Sequence, residues 1–268
     1  PEFDARITKF YPFQIDVMER MDEAFYNPSA RIIYVIPPQS FKSVVTTWFT
    51  AFYFGRHPDA RSATVTFNAT RAKENTAILT QVMDLPRYKE LFKTRIKSSM
   101  DAEEKKQAQV DGQIKSQSAR GFKIVGSYTG EYKALGVGEG FAGYSPQLVI
   151  LDDYFSSMAD GDSLVLRSQL WDWFTAICLG RAQITGTQYL IPCTRYHADD
   201  IIGMIERKKA VWVEHGLPDW DIISYPAIME DEGGNSYDPR KNGELLIPEH
   251  KEKYIIAKLD NPRVFYTM

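Results

Sequence analysis

The stretch IPPQSFKSV, residues 36–44, decides how the chain is read. It resembles a phosphate-binding loop of the form GxxxxGK[ST], in which a tight turn between a strand and a helix aims backbone N–H groups at phosphate oxygens. Lys42 and Ser43 fit that pattern, but Ile36 and Phe41 occupy the two glycine positions. The context favours the motif more than its letters do. RIIYVI (31–36) is a short apolar run of strand type, and KSVVTTWFTAFYF (42–54) is a helix-length apolar stretch closed by Gly55 and Pro58. Taken alone, the residues also fit an ordinary loop with an exposed lysine, so other segments must decide.

The 268 residues suit one large domain or two small ones, and no internal repeat or low-complexity linker stands out, which favours a single domain. Hydrophobic residues make up 44% and charged residues 25%, the balance of an ordinary globular protein. A formal charge of −3 excludes a surface that is basic throughout, though not a local basic strip. Cys178 and Cys193 have no metal-ligand spacing and read as reduced packing residues. No run of about 18 apolar residues predicts a membrane span, and no signal peptide is evident. Pro1-Glu2-Phe3 opens the chain without methionine and reads as a cloning remnant.

Working outward, SATVTF (62–67) alternates like a strand, TRAKENTAILTQVM (70–83) reads as a helix and LPRYKELF (85–92) as a shorter one. SSMDAEEKKQAQVDG (98–112) is polar and is expected to be a solvated excursion. FKIVGSY (122–128) and ALGVGEGFAGY (134–144) are short β-like runs rich in glycine. QLVILDD (147–153) is a continuous apolar run ending in two acids, as in a buried parallel strand with function at its carboxyl end. Leu166, Leu170, Trp173 and Ile177 recur at helical spacing and predict a core-facing stripe. QYLIPC (188–193) predicts another buried strand and ADDIIGMIERKK (198–209) another helix. The alternation predicts an α/β fold with a mainly parallel central sheet flanked by helices.

Ligands of such sheets sit beyond the carboxyl ends of the strands. Three predicted strands end there in polar groups: IPPQSFKS, LDD and PCTRYH. Lys42 is a flexible point charge suited to phosphate oxygens, Ser43 carries a hydroxyl suited to Mg²⁺, and the following helix presents its positive dipole end. Asp152 is placed to hold Mg²⁺ and Asp153 to polarise an attacking water; a turn or helix N-cap is the plainer reading of the pair. Thr194, Arg195 and His197 follow the third strand, where an arginine fork can bind an oxyanion and His197 equally suits a packed turn. Asp199 and Asp200 are expected to cap the next helix.

These residues resemble the ATPase domain of the large terminase subunit of tailed bacteriophages, over nearly the whole chain, 1–268. YPFQ (11–14) stands where that family carries an adenine-recognition element, PPQSFKS resembles its variant Walker A loop (commonly PPRxGKS), and GEGFAGYSPQLVILDD resembles the lead into Walker B. SLVLRSQLWDWF followed by YLIPCTRYHADDIIG resembles its Trp-bearing helix and its TRWHxDDL coupling motif. SYPAI (224–228) and RVFYTM (263–268) resemble its later LPAI and ALYQQ segments. The resemblance implies a P-loop NTPase of ASCE/RecA-like type, with ATP and Mg²⁺ as cofactors and hydrolysis that powers translocation of double-stranded DNA into a procapsid.

Carried over position by position, Tyr11, Phe13 and Gln14 would meet the adenine, and Pro38, Gln39, Ser40, Phe41, Lys42, Ser43 and Val44 would cradle the phosphates. Ser43 and Asp152 would hold the metal, Lys42, Asp153 and Arg195 would be catalytic, and Thr194 with Arg195 would couple hydrolysis to movement. The coupling strand would lie between the Walker A and Walker B strands. Gln39 stands where many relatives have arginine, and Phe41 replaces a glycine, at a cost on the order of 1 kcal/mol or more if it must take positive φ.

The resemblance further implies a homo-oligomeric ring on the portal protein, the small terminase subunit as partner, and a place in the host-cell cytoplasm. The isolated chain is expected to be monomeric and a poor ATPase, its arginine finger coming from a neighbour, with Arg120, Arg167 and Arg181 as candidates. The family's nuclease domain is not expected from this chain. Arg87, Lys89, Lys93, Arg95 and Lys97 could face DNA phosphates, or form a solvated helix face. Two other readings stand beside the motor: a helicase, which would need a second lobe, and a degenerate P-loop module that binds DNA or partners without turnover.

Overall fold

The computed structural model describes residues 10–111, 117–141, 143–181, 183, 186–230 and 237–260. Pro1-Glu2-Phe3, Ala142 of the glycine-rich lead and the closing RVFYTM lie outside the described residues.

Helix α1 (Pro12–Phe25) starts where Pro12 presets the first turn and Gln14 Oε1 accepts the Tyr11 N–H at 2.9 Å. Strand β1 (Arg31–Val35) and helix α2 (Lys42–Arg56) bracket the loop that decided the reading. Strand β2 (Arg61–Thr66) leads to α3 (Ala69–Asp84), which is capped by Asn68, and α4 (Pro86–Leu91) follows. The expected solvated excursion contains helix α5 (Ala102–Val110) instead. Its helicity comes from a reciprocal cap: Asp101 Oδ1 accepts the Glu104 N–H at 2.8 Å, and Glu104 Oε2 accepts the Asp101 N–H at 2.9 Å. Its surface is nonetheless mostly exposed, with Ala108 buried.

Next come β3 (Gln117–Ser118), β4 (Gly121–Lys123), β5 (Glu131–Gly136) and β6 (Leu148–Leu151). The β-like runs predicted at 122–128 and 134–144 are thus strand only in part. Helices α6 (Met158–Asp162) and α7 (Leu164–Trp173) follow, and then a π-type turn, Phe174–Cys178. Of the predicted stripe, Leu170 and Trp173 are buried but Leu166 is 40% exposed. The wider turn after Trp173 shifts the apolar face, so Phe174 and Cys178 are buried there in place of Ile177. Strand β7 (Gln188–Cys193) matches its prediction, and α8 (Ile201–Glu214), β8 (Asp221–Ser224) and α9 (Lys251–Asp260) complete the order. Both cysteines are free and buried.

The strand order is β3-β4-β5-β2-β6-β7-β1-β8, which sets β7 between β6 and β1 as the resemblance implies. β1 with β8, β2 with β5, β2 with β6 and β6 with β7 are parallel pairs, whereas β3–β4 and β4–β5 are antiparallel. Contacts divide the chain into two compact units. The first comprises Pro1–Val45, Phe155–Gln169 and Ile191–Met268; the second comprises Thr46–Tyr154 and Leu170–Leu190.

In the first unit, β1 runs beside β8 with Ile32 opposite Asp221, and Ile33, Ile202 and Ile205 are wholly buried. In the second, β2 is buried at Ala63 and Val65, and Phe54, Phe122 and Tyr132 pack ring on ring, with Phe122 and Tyr132 stacked at 5.2 Å. Each such side chain contributes roughly 1.5–3 kcal/mol by leaving water. The β5 end of this unit depends on a close backbone approach: a Cβ on Gly130 would stand 1.9 Å from the Pro58 carbonyl oxygen. Gly130→Ala is therefore expected to lower stability by about 1–3 kcal/mol, read from denaturant unfolding.

Candidate nucleotide-binding site

Within the first unit, β1 ends at the loop and α2 begins at Lys42, so the loop sits between a strand end and a helix N-terminus. Two loop residues lie in the left-handed region, Gln39 at φ 63° and Phe41 at φ 62°. Phe41 therefore adopts the conformation for which the motif normally uses glycine. The cost is about 1–2 kcal/mol for such a residue. Lys42 is only 8% exposed, and its ammonium donates to the Thr194 hydroxyl. That hydroxyl in turn donates to the Ile36 carbonyl at 3.3 Å. The predicted phosphate lysine and the predicted coupling threonine, 152 positions apart, thus meet in one hydrogen-bonded chain.

Arg195 is anchored rather than loose. Its Nε lies 3.0 Å from Asp200 Oδ2, its Nη1 3.4 Å from Glu206, and its Nη2 3.2 Å from the Ala198 carbonyl. Asp200, wholly buried, also caps α8 as predicted, with Oδ1 accepting the N–H groups of Ile202 and Gly203 at 3.1 Å each. Asp199 pairs with Arg207 at 2.9 Å, and His197 Nδ1 accepts the Asp199 N–H at 2.9 Å, a turn contact.

In the second unit, Asp152 follows β6 and is 2% exposed, with Asn75 Nδ2 at 3.5 Å from its Oδ2. Asp153 is more open, its carboxylate 29% exposed and 3.8 Å from the Arg71 guanidinium. It too has positive φ, 53°. Neither acid caps a helix: α6 is capped by Ser157.

The expected adenine element stands at the start of α1. Tyr11 and Phe13 stack with centroids 6.1 Å apart, and Gln14 is buried with its Oε1 held by the Tyr11 N–H. Below them is a cavity of about 380 Å³ whose lining includes Tyr11, Phe13, Asp16, Tyr225, Tyr237 and Arg240. The Tyr225 hydroxyl donates to Asp16 there, and Arg20 lies 2.8 Å from the same carboxylate. Tyr11 donates to Glu249 at 2.7 Å; burial, then that carboxylate, pushes its pKa up to about 12.

One residue at the loop was missed by sequence reasoning. Lys253, on α9, donates to the Pro38 carbonyl at 3.0 Å and to Gln39 Oε1 at 3.2 Å. Its segment reads only as a charged amphipathic helix, and no local signal marks a contact across 215 positions.

The predicted DNA strip is unequal. Arg87 pairs with Glu90, Lys89 with Asp84, and Arg95 spends its guanidinium on Glu104 and on the carbonyls of Phe92, Thr94 and Lys89. Lys93 and Lys97 are exposed and make no ion pair among the described residues. Of the arginine-finger candidates, Arg120 is bound to Glu139, and Arg167 is buried against the carbonyls of Gly161 and Asp162. Arg181 is exposed.

A mostly parallel, helix-flanked sheet with a strand–loop–helix at Lys42 defines an α/β P-loop NTPase fold. Solved structures of phage large-terminase ATPase domains share it. One is a mutant of the large terminase ATPase domain of Thermus phage P74-26, at TM-score 0.54 and 14% identity, with 95% of this chain and 90% of that one covered. Another structure of that Thermus phage domain gives TM-score 0.53 at 13% identity, covering 97% and 99%. The large terminase of bacteriophage HK97 gives TM-score 0.54 at 15% identity, where 97% of this chain spans about half, 51%, of the other. No protein-family model matches the sequence, and no curated protein does. Among the described residues, no helix is long and apolar enough to cross a membrane.

The left-handed geometry at Phe41 makes a sharp expectation. Phe41→Gly should be less destabilising than Phe41→Val by about 1–2 kcal/mol, although valine keeps more apolar surface, because a β-branched residue fits positive φ worst. Thermal or urea unfolding of the two variants checks it.

Proposed function

We propose that the chain is a Mg²⁺-dependent ATPase that powers translocation of double-stranded viral DNA into a procapsid. One observation carries the reading. The three non-glycine residues with positive φ among the described residues are Gln39, Phe41 and Asp153, and all three belong to the set that the resemblance to terminase ATPase domains assigns to nucleotide. Such conformations cost of order 1–3 kcal/mol each and persist where surrounding structure holds them for a purpose. The likeness in fold to ATPase domains of phage large terminases supports the same direction.

In this reading the loop of Pro38, Gln39, Ser40 and Phe41, with the N–H groups of Ser43 and Val44 at the start of α2, receives the phosphates. Lys42 supplies the cation. Ser43 and Asp152 are the protein's metal donors, and Asp153 orients the attacking water. Among the described residues no cluster of three His, Cys, Asp or Glu could hold a metal, which fits Mg²⁺ arriving with phosphates and needing one carboxylate and one hydroxyl. When bound, Mg²⁺ neutralises charge developing on the phosphoryl oxygens. Tyr11, Phe13 and Gln14 take the adenine above the aromatic cavity. Phosphate draws the Lys42 ammonium away from Thr194, and the change passes along β7 into Arg195 and, through Asp200, to α8.

The partners in this reading are double-stranded DNA, the portal protein, the small terminase subunit and further copies of the chain in a ring, in the host cytoplasm. Exposed Lys93 and Lys97 are the members of the basic strip best suited to DNA phosphates, and exposed Arg181 is the candidate best suited to reach a neighbour. The inert-module alternative was motivated by the lost glycine. Phe41 at φ 62° weakens that motive, since the loop takes the required conformation without it.

Calorimetric titration with a nonhydrolysable ATP analogue and Mg²⁺ is the test. The native chain should release binding heat, and Lys42→Ala should weaken affinity roughly 10- to 100-fold, the worth of one or two charged hydrogen bonds. Asp153→Asn should bind normally yet turn over more slowly, measured as phosphate release with the chain assembled on its portal. No heat from the native chain would favour the inert module.

A further inference from the structure

The loop carries no cation before Lys42, since Pro38, Gln39, Ser40 and Phe41 are all neutral. A cation from elsewhere nevertheless stands on it. Lys253 projects from the first turn of α9, its ammonium 3.0 Å from the Pro38 carbonyl and 3.2 Å from Gln39 Oε1. The remaining contacts of that region hold it there. Tyr254, wholly buried, has its hydroxyl 3.4 Å from His250 Nδ1, while Glu249 accepts from Tyr11 of the adenine element. This part of the chain therefore touches the loop at two successive residues, Pro38 and Gln39, and the base element at one, Tyr11.

We propose that Lys253 is a second phosphate-binding cation of this site, reaching the polyphosphate from α9 across the rim of the loop. The inference rests on the ATP reading above. Both acceptors now used by Lys253 are neutral oxygens, whereas a phosphate oxygen would add the attraction of opposite charges to the hydrogen bond. The ammonium has three donors, and among the described residues two hydrogen bonds engage it. Burial lowers the Lys253 pKa, and the neighbouring positive charge of Lys42 lowers it further. Two ammonium groups facing one loop repel each other until an anion lies between them, and a polyphosphate is the anion the loop admits. Lys253 then exchanges the Pro38 carbonyl for phosphate, which frees the loop and ties α9 to nucleotide in the same step.

The test compares the native chain with Lys253→Gln, Lys253→Arg and Lys42→Ala. A nonhydrolysable ATP analogue and AMP are titrated with Mg²⁺ by calorimetry. Lys253→Gln should weaken the triphosphate analogue roughly 10-fold or more while leaving AMP nearly unchanged, and Lys253→Arg should restore most of the loss. A merely structural tie between α9 and the loop would weaken both nucleotides alike. That result, or a Lys253→Gln chain that binds the triphosphate as the native chain does while Lys42→Ala does not, overturns the role of Lys253 and leaves the ATP reading intact. Absence of binding by the native chain fails the ATP reading itself, and this inference with it. Should Lys253→Gln not fold, Lys253→Met takes its place in the same ratio of triphosphate to monophosphate affinity.

Discussion

The ammonium of Lys42, almost out of water and resting on the Thr194 hydroxyl, is the interaction on which the site's architecture turns. A buried cation is costly unless oxygens replace its hydration, and here the acceptor comes from the far end of another strand. Thr194 can serve because its own proton goes to the Ile36 carbonyl, and the Ile36 N–H is bonded to the Cys193 carbonyl at 3.1 Å. Both sides of the lysine are therefore fastened to the ends of β1 and β7. Tyr34 adds a third tie, its hydroxyl 3.5 Å from the Lys42 carbonyl. A loop without glycines keeps its shape because it is fixed at its foot, and the strain at Gln39 and Phe41 is sustained by these anchors.

Much of this was legible in the sequence, for identifiable reasons. Continuous apolar runs with abrupt polar ends, RIIYVI and QYLIPC, leave a buried strand as the only economical arrangement, and both are strands in the first unit or shared with the second. Asp200 was readable as a cap because a short carboxylate before an apolar run has one cheap use. What could not be read depends on conformation or distance. Asp101 and Glu104 are a capping signal hidden in a polar stretch, where composition argued for coil. The sequence shows that Phe41 has lost the freedom of glycine, but not that the chain would impose positive φ regardless. The shift of the α7 stripe comes from one wide turn, which no periodicity anticipates. Lys253 lies beyond any local pattern because its partners are at the other end of the chain.

The strained positions divide between the two units, with Gln39 and Phe41 in one and Asp153 in the other. Their tolerances differ. An aspartate in the left-handed region is comparatively common, since its short side chain can satisfy nearby backbone, whereas a bulky aromatic there is not. Asp153 also has an external hold, its backbone carbonyl accepting the Phe67 N–H at 2.9 Å and its carboxylate facing Arg71. Each unit thus secures its own unusual backbone with its own hydrogen bonds.

The turn after β7 has one further property. A single carboxylate, Asp200, holds the start of α8 with one oxygen and the Arg195 side chain with the other. Gly203 seals the arrangement from the opposite side, because a methyl group there would stand 1.8 Å from the Ala198 oxygen and 3.0 Å from Arg195 Nη2. Residues that share one acceptor and one tight gap do not respond independently. The segment from Arg195 to Gly203 is therefore built as a single joint, in which the energies of two substitutions are not expected to sum.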